Sequence, residues 1–172
     1  MAALFSTLMT ICSSGDHIVA SSQLYGANTN LLKYTLPRFG IKTTFVSPLD
    51  LNLIKKSIKN NTKLVFGEVI GNPGLDVLDV SKVSEICKDK GVPLILDCTF
   101  NTPYLLQPIK LGANIIIHSL TKWIGGHGTS IGGAVIDGGN FNWGQNAKFP
   151  TISSPHYSME GINFFEEFGP IA

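Results

Sequence analysis

The chain has 172 residues, 44% of them hydrophobic and 15% charged, with a net charge of +1. That length and composition fit one domain with a real core and exclude a disordered or heavily solvated chain. The near-zero charge leaves no electrostatic footprint for nucleic acid or an anionic membrane, so neither is an expected partner.

Lys55, Lys56 and Lys59 make a local basic cluster that reads as the wet face of a helix. The three cysteines, Cys12, Cys87 and Cys98, form no C-x-x-C pair and have no His at ligand spacing. This argues against a disulfide framework or a metal site and leads us to expect reduced thiols and a cytoplasmic location. Lys or Asp interrupts every long apolar run, so no membrane span is expected. The apolar stretch 1–12 lacks the basic start of a signal peptide and reads as a buried helix.

After this helix, Ser13-Ser14-Gly15-Asp16 is a turn into a strand over 17–21. Leu31, Leu32, Leu36 and Phe39 fall close to helical spacing, which predicts a helix over 28–39 stopped by Gly40. Pro37 lies near its end, where a break is tolerable. A strand over 43–46 precedes a helix starting near Asp50, with Leu51, Ile54 and Ile58 on one face. A strand over 63–66 leads to the Gly71-Asn72-Pro73-Gly74 turn. Asp79 then reads as the N-cap of a helix over 80–90 with the stripe Val80, Val83, Ile86 and Cys87, closed by Gly91. Strands follow over 93–96, 114–117 and 133–136. Strands apolar on both faces, alternating with amphipathic helices, predict an α/β fold: a mostly parallel sheet flanked by helices.

In open parallel sheets the ligand crevice lies outside the carboxyl ends of the strands. Asp97-Cys98-Thr99 follows one apolar run, and His118-Ser119-Leu120-Thr121-Lys122 follows the next. If the two strands are parallel, Asp97 and Lys122 share a crevice. Taken alone, Asp97 also suits a helix cap or a Mg²⁺ ligand, and Lys122 a surface position. The glycine-rich stretch 123–133 allows close approach and positive φ, and it lacks the spacings of nucleotide loops. A partly desolvated Lys can attack carbonyls, Ser119 and Thr121 can hold a phosphate, and an acid can keep a heterocyclic nitrogen protonated. Lys, Ser, Thr and Asp at one sheet edge therefore suit pyridoxal phosphate (PLP).

On these residues, and on Ser119-Leu-Thr-Lys-Trp-Ile-Gly-Gly-His-Gly-Thr-Ser-Ile-Gly-Gly133 above all, the chain resembles the Cys/Met-metabolism family of PLP enzymes, which have the aspartate-aminotransferase-like fold. The resemblance implies that Lys122 binds PLP as a Schiff base and acts in catalysis, that Ser119 and Thr121 hold the phosphate, and that Asp97 pairs with the ring nitrogen. It places Tyr25 over the ring with a catalytic role, Asn72 near the ring hydroxyl, and Thr99 and Met1 among the cofactor-binding residues. Residues 139–143, 148–150 and 168–170 resemble O-acetylhomoserine sulfhydrylases. This implies γ-replacement on O-acetylhomoserine by sulfide or a thiol, in a homo-oligomer (dimer or tetramer). Cystathionine γ-synthase or methionine γ-lyase activity is the alternative, as is a fragment without catalytic competence.

Residues 1–172 are expected to form the central part of the cofactor-binding domain, without the N-terminal arm and C-terminal small domain. Where the family has Asp-Asn-Thr-Phe, this chain has Asp97-Cys98-Thr99-Phe100, and Cys98 reads as a small buried thiol. His127 reads as structural, buried among glycines. His156 and Tyr157 are candidates for a neighbouring subunit.

Overall fold

The computed structural model describes residues 1–144, 147–155 and 157–168. Helix α1 (Ala2–Ile11) leads into strand β1 (His17–Ser21), and α2 (Gly26–Asn30) into β2 (Lys42–Val46). Next come α3 (Leu51–Ser57), β3 (Thr62–Glu68), α4 (Val80–Asp89), β4 (Leu94–Asp97), the short α5 (Thr102–Leu105), β5 (Ile115–Ser119) and β6 (Gly133–Asp137). Two short helices, α6 (Pro150–Ser153) and α7 (Phe164–Phe168), follow. The six strands form one sheet in the order β2-β1-β3-β4-β5-β6, parallel throughout except for β6, which runs antiparallel to β5.

The two faces of the sheet carry separate cores, as side chains alternating along each strand require. Ile18, Leu64, Phe66, Ile95, Ile115 and Ile117 pack on one side with Leu4, Leu8 and Ile11 of α1. Val19, Val65, Leu94, Leu96 and Ile116 pack on the other with Ile54 of α3 and Val80, Val83 and Cys87 of α4. Asp50 and Asp79 cap α3 and α4, their carboxylates accepting from Leu53 N at 2.9 Å and Lys82 N at 3.1 Å. Lys55, Lys56 and Lys59 are exposed, as their spacing implied.

The helix expected over 28–39 is divided. Helix α2 ends at Asn30, a wide turn spans Leu31–Thr35, and a tight 3₁₀ turn over Leu36–Phe39 ends at Gly40 with φ 76°. Pro37 has no N–H to continue the ladder and stands at the start of that last turn. Residues 139–143 fold back on the first core. The Asn114 amide donates to Asn140 Oδ1 at 2.9 Å, and the Asn140 amide donates to Ala113 O at 3.0 Å. Trp143 and Phe149 are buried edge to face with Phe141.

Candidate active site

The alternation that builds the first core also builds the site. On β3, Leu64 and Phe66 enter that core and Glu68 is next on the same face. On β4, Ile95 is followed in the same way by Asp97, and on β5 Ile115 and Ile117 are followed by Ser119. Glu68 and Asp97 are register partners across the parallel β3–β4 pair. The carboxyl ends of three parallel strands thus put two carboxylates and a hydroxyl along one edge.

A cleft of about 780 Å³ opens there. That volume is within the range of small-molecule sites. Asp97, Thr99, Ser119, Thr121 and Lys122 line it from β4, β5 and the segments just after them. Met1, Tyr25 and Asn72 line it from the start of α1, the entry to α2 and the turn after β3. All eight residues singled out from the sequence therefore face one cavity, although they span positions 1 to 122.

Hydrogen bonds hold several of them in place. Asp97 Oδ1 accepts from the Thr99 hydroxyl at 2.6 Å and from Thr99 N at 2.9 Å. The same hydroxyl oxygen accepts from Ser119 N at 2.9 Å. Thr99 therefore joins the acid at the end of β4 to the end of β5, and its hydroxyl is already engaged. Thr121 Oγ1 accepts from Gly132 N at 3.1 Å, which closes the glycine-rich loop. Within that loop Gly126 and Gly128, both on the cleft, adopt φ of 81° and 64°. A Cβ at Gly125 would stand 2.5 Å from Leu120 O.

Two hydrogen-bonding side chains in the cleft, Glu68 and Asn28, were not among the expected ones. Glu68, 6% exposed, accepts from Tyr25 N at 2.7 Å and from the Asn28 amide at 3.0 Å through Oε1, and from Asn72 N at 3.1 Å through Oε2. Asn28 also donates to Asp97 Oδ2 at 3.3 Å and so bridges the two carboxylates. Burial pushes the Glu68 carboxyl up to about 7, with the Asp97 charge adding to the rise and the N–H donors opposing it. The signal that could have found Glu68 is the alternation through Leu64 and Phe66, which the sequence reading ended one step early.

Two expectations need correction. Lys122 lies on the cleft wall but is exposed, where partial desolvation was expected. The wide turn Leu120–Ile124 carries it outward at the mouth of the cleft and leaves the side chain in water. His127 is exposed, not buried, because the glycines around it provide no side chains to cover it. Cys98 is the small buried thiol that was expected and does not face the cleft. It is fully buried in the second core, and burial, then the Asp97 charge, pushes its thiol up to about 12. Tyr157 is 98% exposed, and His156 lies outside the described residues.

An open α/β domain with an amine, an acid, hydroxyls and an aromatic ring around one strand-end cleft defines a class of cofactor-dependent enzyme domains. Residues 1–163 match the model of the Cys/Met metabolism PLP-dependent enzymes, and the chain belongs to that family. It is 51% identical over 162 residues to the O-acetyl-L-homoserine sulfhydrylase of Leptospira meyeri, covering 94% of this chain and 36% of that protein. It is 49% identical over 172 residues to the homocysteine synthase of Schizosaccharomyces pombe, covering 99% of this chain and 40% of that protein. A crystal structure of a Campylobacter jejuni protein described as an O-acetylhomoserine (thiol)-lyase superposes with a TM-score of 0.93 at 36% identity. That match covers 99% of this chain and 42% of the other, which carries a pyridoxyl-lysine phosphate. The chain thus spans about two fifths of the length of these relatives.

Proposed function

We propose that this chain supplies the cofactor face of an enzyme that replaces the γ-acetoxy group of O-acetylhomoserine with sulfide or a thiol. The observation that carries the reading is the convergence of Lys122, Asp97, Tyr25, Asn72, Ser119 and Thr121 on one cleft. Similarity to sulfhydrylases and a homocysteine synthase along nearly the whole chain supports the choice of substrate. The family's cofactor fits the residues present, with an amine for its aldehyde, an acid for its ring nitrogen and hydroxyls for its phosphate. When bound, PLP supplies an electron sink beside the substrate amino group.

The remaining work belongs to the chain's own groups. Asp97 holds a proton on the ring nitrogen, and at contact distance in a medium of effective dielectric near 20 that attraction is about 4 kcal/mol before desolvation. Thr99 and Asn28 orient this carboxylate through one oxygen each. Tyr25 would cover the ring, and Asn72 would hold its hydroxyl side. Ser119 and Thr121, with the start of α1 at Met1, would hold the phosphate. The Lys122 amine would anchor the cofactor, and it is the group that would carry protons at Cα and Cβ of the substrate. The C–O bond at Cγ breaks, acetate leaves with its electron pair, and a C–S bond forms there to give homocysteine from sulfide.

On this reading residues 1–172 are the central part of a PLP-binding domain in a cytoplasmic homo-oligomer, and catalysis belongs to the whole protein. Among the described residues no helix is long and apolar enough to cross a membrane. The test is an absorbance scan with PLP, then borohydride reduction and peptide mapping, alongside homocysteine formation from O-acetylhomoserine and sulfide. A visible band with the reduced adduct on Lys122 is expected. Lys122→Ala should lose the adduct and lower turnover by at least 10²–10⁴-fold. An adduct scattered over surface lysines, or full turnover by Lys122→Ala, would sink the proposal.

A further inference from the structure

Glu68 is an acid with three N–H donors around it, reaching from the end of β3 to two separate segments of the cleft wall. It binds the backbone of Tyr25, the backbone of Asn72 and the side chain of Asn28. Asn28 in turn touches Asp97. Tyr25 and Asn72 lie 47 positions apart, on different connections, and Glu68 ties them to each other. Every donor aimed at this carboxyl suits an acceptor, so the ionised form satisfies all three bonds at once. A protonated carboxyl must turn one O–H toward a donor or toward Asp97 and release a bond.

We infer that Glu68 is a positioning residue for the cofactor site: its carboxylate sets the Tyr25 and Asn72 backbones and, through Asn28, the aim of Asp97. The inference rests on the proposed PLP reading. Glu68 itself touches neither Lys122 nor the substrate in this account and works through the residues that do. Its titratable neighbours on the cleft are Asp97 from β4, Tyr25 from the entry to α2 and Lys122 from the turn after β5. Asp97 is the charged one among them that raises it, and burial is the larger cause. Within the folded cleft the donors favour the ionised carboxyl, so these bonds strengthen as Glu68 ionises near 7, while burial of the same charge works against the fold as a whole.

The experiment is amide hydrogen exchange on the full chain without cofactor, with the PLP dissociation constant measured separately. Glu68→Gln keeps the size of the side chain but turns a donor toward donors. It should speed exchange at Tyr25 and Asn72 at least tenfold relative to Ile95, and weaken PLP binding at least fivefold. Glu68→Asp, still an acid, should recover part of both. In the wild type, protection at these two amides, corrected for the intrinsic rate, should fall as pH drops through about 7, and in Glu68→Gln it should stay flat. Unchanged protection in Glu68→Gln overturns the inference. If that variant does not fold, constant wild-type protection from about pH 5.5 to 8.5 overturns it instead. Failure of the reduced adduct to map to Lys122 sinks the cofactor reading alone, because the exchange is read without PLP.

Discussion

The two faces of the sheet are built from the same strands by the same alternation, yet they end differently. On the cleft face the apolar series closes with Glu68, Asp97 and Ser119. On the opposite face their chain neighbours Val69, Cys98 and His118 are all buried. Adjacent positions in the chain thus have opposite fates. Asp97 meets the cleft and Cys98 is sealed from it; Ser119 meets the cleft and the His118 ring is buried. The lesson is that site and core here are separated by the pleat of a strand, so a one-residue error in register would exchange them.

Substitutions on either side should separate accordingly. Leu96→Ala removes a fully buried side chain of the second core and should lower unfolding free energy by about 2–5 kcal/mol in a denaturant titration. PLP affinity of the molecules that remain folded should change little. Asp97→Ala, one residue on, should do the reverse. It should weaken PLP binding by about a hundredfold, from a ring attraction near 4 kcal/mol less desolvation, with a smaller change in the denaturation midpoint. A large loss of both properties from either single change would break the contrast.

The pH response should divide in the same way. The folded Glu68 carboxyl titrates near 7 against an ordinary 4.5, so the native state holds its proton more tightly than the unfolded chain. Its contribution therefore declines as pH rises from about 4.5 to 7, by about 3 kcal/mol in all, and Glu68→Gln should remove that slope from denaturation measured across this range. His118 has the opposite sign. Burial lowers it below 6.5, so its contribution is present above 6.5 and fades as pH falls toward the folded value. The His118 effect should be the smaller, read as an acid-side decline that His118→Gln lacks.

Much of this was legible in the chain itself. The apolar runs before Asp97 and Ser119 marked β4 and β5, and parallel pairing of those strands is enough to bring Asp97 and Lys122 to one edge. Other parts were hidden for physical reasons. Gly67 interrupts the apolar run of β3, so the expected strand stopped at Phe66 although it continues through Glu68. Asn28 is a helix residue whose function depends on where α2 docks, a tertiary fact with no local signature. The split after Asn30 depends on Pro37 together with the packing of Leu31, Leu32 and Leu36 into the first core. The exposure of Lys122 and His127 depends on how far the glycine loop stands from the sheet, which composition does not encode.

The burial of Cys12, Cys87 and Cys98 has a consequence for chemical self-interference. Each thiol is pushed up to about 12, chiefly by burial, so the reactive thiolate is scarce at neutral pH. A protein proposed to deliver sulfur to an activated carbon has, in Cys98, a sulfur of its own one residue from Asp97. The pleat that turns Cys98 away keeps this internal nucleophile from competing with the incoming one.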